Sequence, residues 1–401
     1  MNRRISRRDF LGLSLVGILS ACAAKPTLEP TPTATIPLPT PTFDDSSHTY
    51  PADDPGLLYS GRINFSDPKK PVFSAAGVVI QANFHGTGAT VLLEDEFKWG
   101  TSRNYYDAVI DGATVVKITP ERGVNRYEAA VGLPEGDHSI ALFKRTEASI
   151  GKCTFLGFEF NGLIQAAPPR PARRMEFIGD SITCGTGADA AINSPECSED
   201  GWGQPYNNAR LSYGAVMARA FEAEYHLTSV SGIGMVRNYS FQYDDRPMPD
   251  VYDSLFFEQT DSPRWDPKLY IPDAVVIALG TNDFSPGDSE RPMMEVDVFV
   301  EIYLTFVQKL RQYYPEAHIF CASSPMLGDG WPTSAYHSAS DQKAAITQVV
   351  EQLTQAGDMR IHKYFSNPIV GMGCTSHPDV KQHEQMAEQM GRIVGTVMGW
   401  G

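Results

Sequence analysis

The chain has 401 residues, 42% of them hydrophobic and 20% charged, with a formal net charge of −15; this is ordinary globular composition, long enough for two domains with sizeable cores. Past the first eight residues no run of Lys and Arg appears, so nothing offers phosphates a counter-charge and nucleic acid is not an expected partner.

At the N-terminus, Arg3, Arg4, Arg7 and Arg8 precede an apolar run from Phe10 to Leu19 that is too short to span a bilayer, and residues 1–22 read as a signal segment. Two patterns lie on it. Ser6-Arg7-Arg8-Asp9-Phe10-Leu11-Gly12 resembles the twin-arginine export signal, and Leu19-Ser20-Ala21-Cys22 resembles a bacterial lipobox, in which Cys22 takes a lipid and becomes the first residue. The expectation is a protein exported and anchored through Cys22 to the outer face of a bacterial membrane, or secreted if the cysteine is fortuitous. Cleavage before Cys22 removes four arginines and Asp9, a net +3, taking the charge from −15 to −18.

Residues 23–56 read as a linker, because Lys25 to Thr42 is nearly all Pro, Thr and small residues, a composition that prefers extended polyproline conformations. Residues 57–166 read as β. Strands are expected at Val78 to Phe84, Thr90 to Glu94 after a Gly-rich turn, Tyr106 to Ile110, Thr114 to Val116, Asp137 to Arg145 and Thr154 to Phe160. Short strands at this spacing, with Gly turns and no helical period, indicate an all-β sandwich of jelly-roll type.

Ala166-Ala167-Pro168-Pro169-Arg170-Pro171 breaks the pattern, and residues 172–401 alternate apolar runs with helices. Met175 to Ile178, His226 to Val230, Ala274 to Leu279 and His318 to Cys321 read as buried strands; Tyr213 to Ala223, Val298 to Tyr313, Asp341 to Ala356 and Pro378 to Met398 show helical spacing. The implied fold class is α/β, a parallel sheet covered on both faces, with ligands expected at the carboxyl ends of the strands. Besides Cys22 there are five cysteines, Cys153, Cys184, Cys197, Cys321 and Cys374; their odd number leaves at least one free thiol, and the spacings match no zinc pattern. Most read as buried small residues, with Cys184 and Cys197 the pair to test for a disulfide.

Three strand ends carry chemistry: Gly179-Asp180-Ser181, Ser231-Gly232 and Gly280-Thr281-Asn282-Asp283. Together with His377-Pro378 near the C-terminus they resemble, in order, the blocks of the SGNH or GDSL hydrolase superfamily. Lys144-Arg145-Thr146-Glu147, followed by Arg173-Arg174-Met175-Glu176-Phe177-Ile178-Gly179-Asp180-Ser181-Ile182-Thr183-Cys184-Gly185, narrows the resemblance to carbohydrate esterase family 2, over about Leu57 to Gly401. That resemblance implies a three-layer, flavodoxin-like hydrolase domain behind the β domain. It also implies a deacetylase of acetylated plant-type polysaccharides or oligosaccharides, working without cofactor or metal.

An ester carbonyl needs a nucleophile, a base for its proton and donors for the oxyanion. Ser181 is the expected nucleophile, on a sharp turn after a strand; an N-capping serine is the bland alternative. The match gives His377 as base and the N–H groups of Ser181 and Gly232 with the Asn282 amide as oxyanion donors, Gly234 being an alternative to Gly232. His383 and Glu384 suggest a zinc helix, but the H-E-x-x-H pattern fails at Ala387.

The departure from the family lies at Cys374 and Thr375, where the superfamily carries an Asp three residues before the base and family 2 members commonly have one two residues before it. No acid stands at either position, so a Ser181-His377 dyad is expected; a backbone carbonyl can accept the other ring N–H and set the tautomer, and the sequence leaves open which group orients the imidazole. Asp379 reads as a helix N-terminal acid. Trp202 and Trp331 follow strand-end blocks, and Trp331 is a candidate sugar platform. The expected function is a serine esterase removing O-acetyl groups from xylan, glucomannan or a similar glycan through acetyl-Ser181. The alternatives are a glycan-binding surface lipoprotein and a lipid or small-ester hydrolase of the same fold.

Overall fold

The computed structural model describes residues 46–401 apart from 101, 196, 198–203, 240–244 and 287–290. The signal segment, Cys22, the Pro/Thr-rich stretch from Lys25 to Thr42 and Trp202 lie outside the described residues.

The first sheet is antiparallel and contains β1 (Ser47–Pro51), β2 (Leu57–Ser60), β3 (Val72–Phe73), β4 (Val79–Asp95), β5 (Tyr106–Ile110), β6 (Thr114–Ile118), β7 (Arg126–Ala130), β8 (Gly136–Lys144) and β9 (Cys153–Ile164). Its main order is β1-β9-β4-β8-β5-β6, with β2 and β7 also on β4 and β3 on β9. Two expectations change here. Ser47–Pro51, assigned from sequence to the linker, pairs along β9. The Gly-rich turn expected between Val78 to Phe84 and Thr90 to Glu94 is instead a register shift between Gly86 and Gly88 inside the single 17-residue strand β4. The side chains on the aromatic core are Ile80, Ala82 and Phe84 before the shift and Ala89, Val91 and Leu93 after it. Extra residues at a bulge change the parity of the alternation and so keep one face on the core. That core is aromatic, with Phe84 stacked on Phe160 at 4.4 Å and Phe158 beside it.

The second sheet contains β10 (Arg173–Gly179), β11 (Ala223–Ser229), β12 (Ala274–Ala278), β13 (His318–Ala322) and β14 (Ile361–Tyr364), all parallel in the order β11-β10-β12-β13-β14. The helices are α1 (Ser181–Cys184), α2 (Tyr213–Ala220), α3 (Met248–Val251), α4 (Thr281–Phe284), α5 (Val296–Tyr313), α6 (Ser338–Gln355) and α7 (Val380–Met398). Alternation along the strands separates two cores. Phe177, Val276 and Phe320 pack with Met217 of α2 and Met390 and Val394 of α7; Ile178, Ile277 and Ile319 pack with Phe299 and Tyr303 of α5 and Ile346 and Val349 of α6. The helix expected to run to Ala223 ends at Ala220, because Ala223 already pairs with Arg173 as the first residue of β11. β14 has only four residues and no clean apolar run, so sequence pattern did not expose it. Since all five strands are parallel, Gly179, Ser229, Ala278 and Ala322 end on one rim.

Buried polar contacts join the two sheets. Arg62, 1% exposed, pairs with Glu176 of β10 at 3.2 Å and donates to the carbonyls of Tyr252 and Ser254. Its guanidinium also lies over the rings of Tyr252, Phe257 and Trp265. Gly61 N–H donates to Nε2 of His226 at 3.1 Å, and the His226 ring stacks on Tyr270 at 3.6 Å. Gly77 sits at φ +70 against Leu227, where a Cβ would collide with the leucine side chain.

Burial, helped by Arg62 and Arg170, pushes the His226 imidazole well below its ordinary value. Burial likewise takes His383 down to about 3, while its Nδ1 accepts the Tyr213 N–H. Both rings are neutral in the folded chain, whereas an unfolded histidine titrates near about 6.5. The unfolded chain therefore takes up protons first, and stability present above about pH 6.5 is lost as pH falls below it. The melting temperature is expected to drop between pH 7 and pH 5, and His383→Gln to show a shallower drop than the wild type whatever its stability at pH 7. Calorimetry across that range checks this; an equally steep drop in the variant would remove His383 from the account.

Candidate active site

β10 delivers the chain to the rim at Gly179, and Asp180 turns it. Its Oδ1 accepts the Ile182 N–H at 3.0 Å and so caps α1, which makes Ser181 the first helical residue rather than the cap. Burial pushes the Asp180 carboxyl up to about 6 against the hydrogen bonds it accepts. Gly185, left-handed, ends the single turn. Ser181 is 8% exposed, and its hydroxyl donates to Nε2 of His377 at 2.7 Å.

The other ring nitrogen of His377 donates to the backbone carbonyl of Thr375 at 3.0 Å, with the Thr375 hydroxyl at the same distance. Among the described residues no carboxylate is recorded against this ring. The carbonyl reaches back because Thr375 and Ser376 are both left-handed, at φ 57 and φ 61, a region that is unfavourable for a β-branched residue and persists only where surroundings enforce it. They do so through Cys374, whose N–H meets the carbonyls of Gly187 and Ala190 at 2.8 and 3.0 Å. Gly373 N–H adds a bond to the His377 carbonyl at 2.7 Å. A disulfide joins Cys374 to Cys197. This corrects the pairing considered from sequence: Cys184 is a buried free thiol, as are Cys153 and Cys321. Burial lowers the His377 pKa, and the Thr375 carbonyl opposes that shift.

Asp379 caps α7, accepting the Gln382 N–H at 2.8 Å in a capping box; Pro378 precedes the cap rather than opening the helix. His383, of the rejected zinc pattern, is buried against Tyr213.

On the second rim segment, Gly232 follows β11 at φ +78, a conformation that suits glycine. Its N–H has no partner recorded among the described residues, whereas the Gly234 N–H donates to Asn238 Oδ1 at 3.0 Å; of the two glycines, Gly232 is the open donor. On the third segment the Asn282 amide, in α4, donates to the Ile233 carbonyl at 2.7 Å and makes a long contact to Asp180 Oδ2 at 3.5 Å. Next to it Asp283, fully buried, accepts the N–H groups of Met235, Val236 and Arg237 at 2.9, 2.6 and 3.0 Å. Sequence reading did not assign Asp283 a role; the only signal was an acid adjoining Asn282 at a strand end.

Ser181, Gly232, Asn282 and His377 line one cavity of about 1230 Å³. The antiparallel domain contributes Arg103, Tyr105 and Glu147 to the same wall, and Trp331, 63% exposed, stands on it too. Among the described residues no cluster of three or more His, Cys, Asp or Glu could hold a metal ion.

A serine hydroxyl bonded to a carbonyl-oriented imidazole on the carboxyl rim of a parallel sheet is the arrangement of a serine hydrolase. Residues 177–389 match the GDSL-like lipase/acylhydrolase family, and residues 59–169 match the N-terminal domain of carbohydrate esterase 2. The chain belongs to carbohydrate esterase family 2, whose members are carboxylic ester hydrolases. It is 35% identical over 363 residues to the cellulase/esterase CelE of Acetivibrio thermocellus, covering 89% of this chain and 41% of that protein, so it spans about two fifths of that relative's length. It is 28% identical over 357 residues to an acetylxylan esterase/glucomannan deacetylase of Cellvibrio japonicus, covering 88% of this chain and 92% of the relative. Among solved structures, a family two carbohydrate esterase from Clostridium thermocellum in complex with cellohexaose superposes with a TM-score of 0.75 at 32% identity, covering 86% of this chain and all of that one. A second, from Cellvibrio japonicus, gives 0.77 at 26% identity over 88% and 99%.

Because Cys374 carries the turn that orients His377, Cys197→Ser is expected to slow labelling of Ser181 by a fluorophosphonate about tenfold through loosened geometry. Mass spectrometry of the labelled peptide measures it; an unchanged rate would show that the turn holds without the disulfide.

Proposed function

We propose that the protein is a serine esterase that removes O-acetyl groups from polysaccharides such as xylan or glucomannan. The observation that carries this reading is the 2.7 Å hydrogen bond from Ser181 to His377 inside the cavity. Ser181 Oγ attacks the acetyl carbonyl while its proton passes to Nε2 of His377. The oxyanion is met by the N–H groups of Ser181 and Gly232 and the side-chain amide of Asn282, whose long contact to Asp180 is the one it gives up. As the intermediate collapses, the C–O bond to the sugar breaks, His377 returns the proton to the sugar oxygen, and the acetyl group stays on Ser181. Water, deprotonated by His377, then attacks acetyl-Ser181, and acetate leaves as the serine recovers its proton. A lowered imidazole pKa keeps the base neutral at and somewhat below neutral pH.

The substrate class is supported by the relatives named acetylxylan esterase/glucomannan deacetylase and by the solved relative holding cellohexaose. Trp331, exposed on the wall, offers a face on which a sugar ring can stack. The antiparallel domain is read as a jelly-roll sandwich, supported by its long paired strands and aromatic core.

Ser181→Ala is expected to lower acetate release from acetylated xylan by about 10⁴-fold or more while leaving oligosaccharide binding in place. Equal release by both proteins would refute the nucleophile assignment. For location, the lipobox sequence supports a membrane anchor at Cys22, with the Pro/Thr-rich stretch as a spacer of about 3 Å per residue. Cys22→Ser is expected to move the protein from the membrane fraction to the medium; a wild type found wholly in the medium would discard the anchor.

A further inference from the structure

Glu147 belongs to the antiparallel domain, three residues after β8 ends, and takes no part in the reacting pair. Its side chain is buried, with the residue 5% exposed, yet it lines the cavity. Oε2 accepts the backbone N–H of Ser231 at 2.5 Å and faces the Cys184 thiol at 3.6 Å. Oε1 accepts the Ser149 hydroxyl at 2.7 Å. Ser231 immediately precedes Gly232, and Cys184 is the last residue of the helical turn that begins with Ser181. One carboxylate from the first domain therefore touches two of the three rim segments of the second.

The turn around Gly232 depends on such anchors. Glycine at φ +78 has more conformational freedom than any other residue, so the direction of its N–H is set by what holds the residues beside it. On the exit side the Gly232 carbonyl accepts the Tyr239 N–H at 2.8 Å. On the entry side stand the Glu147 carboxylate and, through the side chains, Thr186 with Ser231 at 3.0 Å. A hydrogen bond to a carboxylate is the stronger kind, and burial makes it stronger still. Two charged groups stand close by. Lys144, its ammonium pushed down to about 8 by burial, donates to the carbonyls of Thr146 and Glu147 at 2.7 and 3.0 Å. Glu258, raised to about 7 by burial and by the Glu147 charge, is paired to Lys98 at 2.8 Å.

We propose that Glu147 is a positioning residue for the oxyanion site: by holding the Ser231 N–H it aims the Gly232 N–H into the cavity, so the antiparallel domain completes the catalytic centre. This rests on the esterase reading of Ser181. A misdirected oxyanion donor weakens the transition state and leaves the bound ground state alone, so kcat falls and KM does not.

The test is steady-state hydrolysis of p-nitrophenyl acetate and acetylated xylan by wild type, Ser181→Ala, Glu147→Ala, Glu147→Gln and Glu147→Asp, each checked for folding by its melting curve. Glu147→Ala is expected to lose about 30-fold in kcat with KM within about twofold. Glu147→Gln keeps an acceptor oxygen for Ser231 and is expected to recover most of that loss. Glu147→Asp keeps the charge beside Lys144 but withdraws it from Ser231, is expected to lose at least about fivefold, and decides the matter should the alanine variant not fold. Wild-type kcat in folded Glu147→Ala or Glu147→Asp, or a Gln variant as impaired as the Ala one, overturns the proposal. A fully active Ser181→Ala would instead overturn the esterase reading and this proposal with it.

Discussion

The Arg62–Glu176 pair fixes the rest of the molecule, because it ties the antiparallel domain to the middle of β10, the strand that delivers Ser181. Both side chains are almost fully buried, at 1% and 2% exposure. Glu176 is saturated further by the hydroxyls of Thr228 and Tyr252 at 2.6 and 2.8 Å. Removing one partner of such a pair leaves an uncompensated charge and costs about 3–5 kcal/mol. Its effect is directional as well as energetic. The apolar contacts of Ala76, Val79 and Phe143 with Leu227 and Tyr225 bring the two sheets together without fixing an angle, since hydrophobic contact has no preferred direction. The guanidinium, which must meet a carboxylate, two carbonyls and three rings at once, tolerates one orientation. The cavity walls come from both domains, so that orientation also sets the shape of the site.

Within the site, geometry stands where a charge is usual. A carboxylate behind His377 would fix its tautomer and stabilise the imidazolium. The Thr375 carbonyl can do the first fully and the second only as a dipole. The structure invests accordingly in holding that carbonyl still, with two left-handed residues, two backbone bonds to Cys374 and a disulfide at the same residue. Where no acid stands at positions 374 and 375, the carbonyl behind His377 is held rigidly, which a disused centre would not require.

What the sequence made legible follows from the range of each interaction. Strand ends, apolar alternation and the order of Ser181, Gly232, Asn282 and His377 are local patterns, and the rim they predict exists. The Gly86-Thr87-Gly88 stretch has the sequence of a turn because glycines serve bulges and turns alike, and only pairing with β9 on both sides of the shift decides between them. β1 is indistinguishable from the linker in sequence because Ser47–Pro51 has no apolar alternation of its own and is held by β9. The Cys197–Cys374 link spans 177 residues, and spacing carries no information about a closure of that length. Glu147 stood in a recognised motif, but nothing local says that its carboxylate meets Ser231, 84 residues on.

The two buried acids that sequence left without roles act on the same loop. Asp283 gathers the N–H groups of Met235, Val236 and Arg237 at its far end, and Glu147 takes that of Ser231 at its near end. Between them lie Gly232, with its open N–H, and Ile233, whose carbonyl is held by Asn282. Side-chain donors such as Asn282 reveal themselves by residue type at a strand end. A backbone donor carries no such mark, and its aim is set by whatever grips the residues beside it. In this fold one of those grips comes from β12's own strand end and the other from the neighbouring domain, which gives the antiparallel domain a reason to be fused to the hydrolase rather than tethered to it.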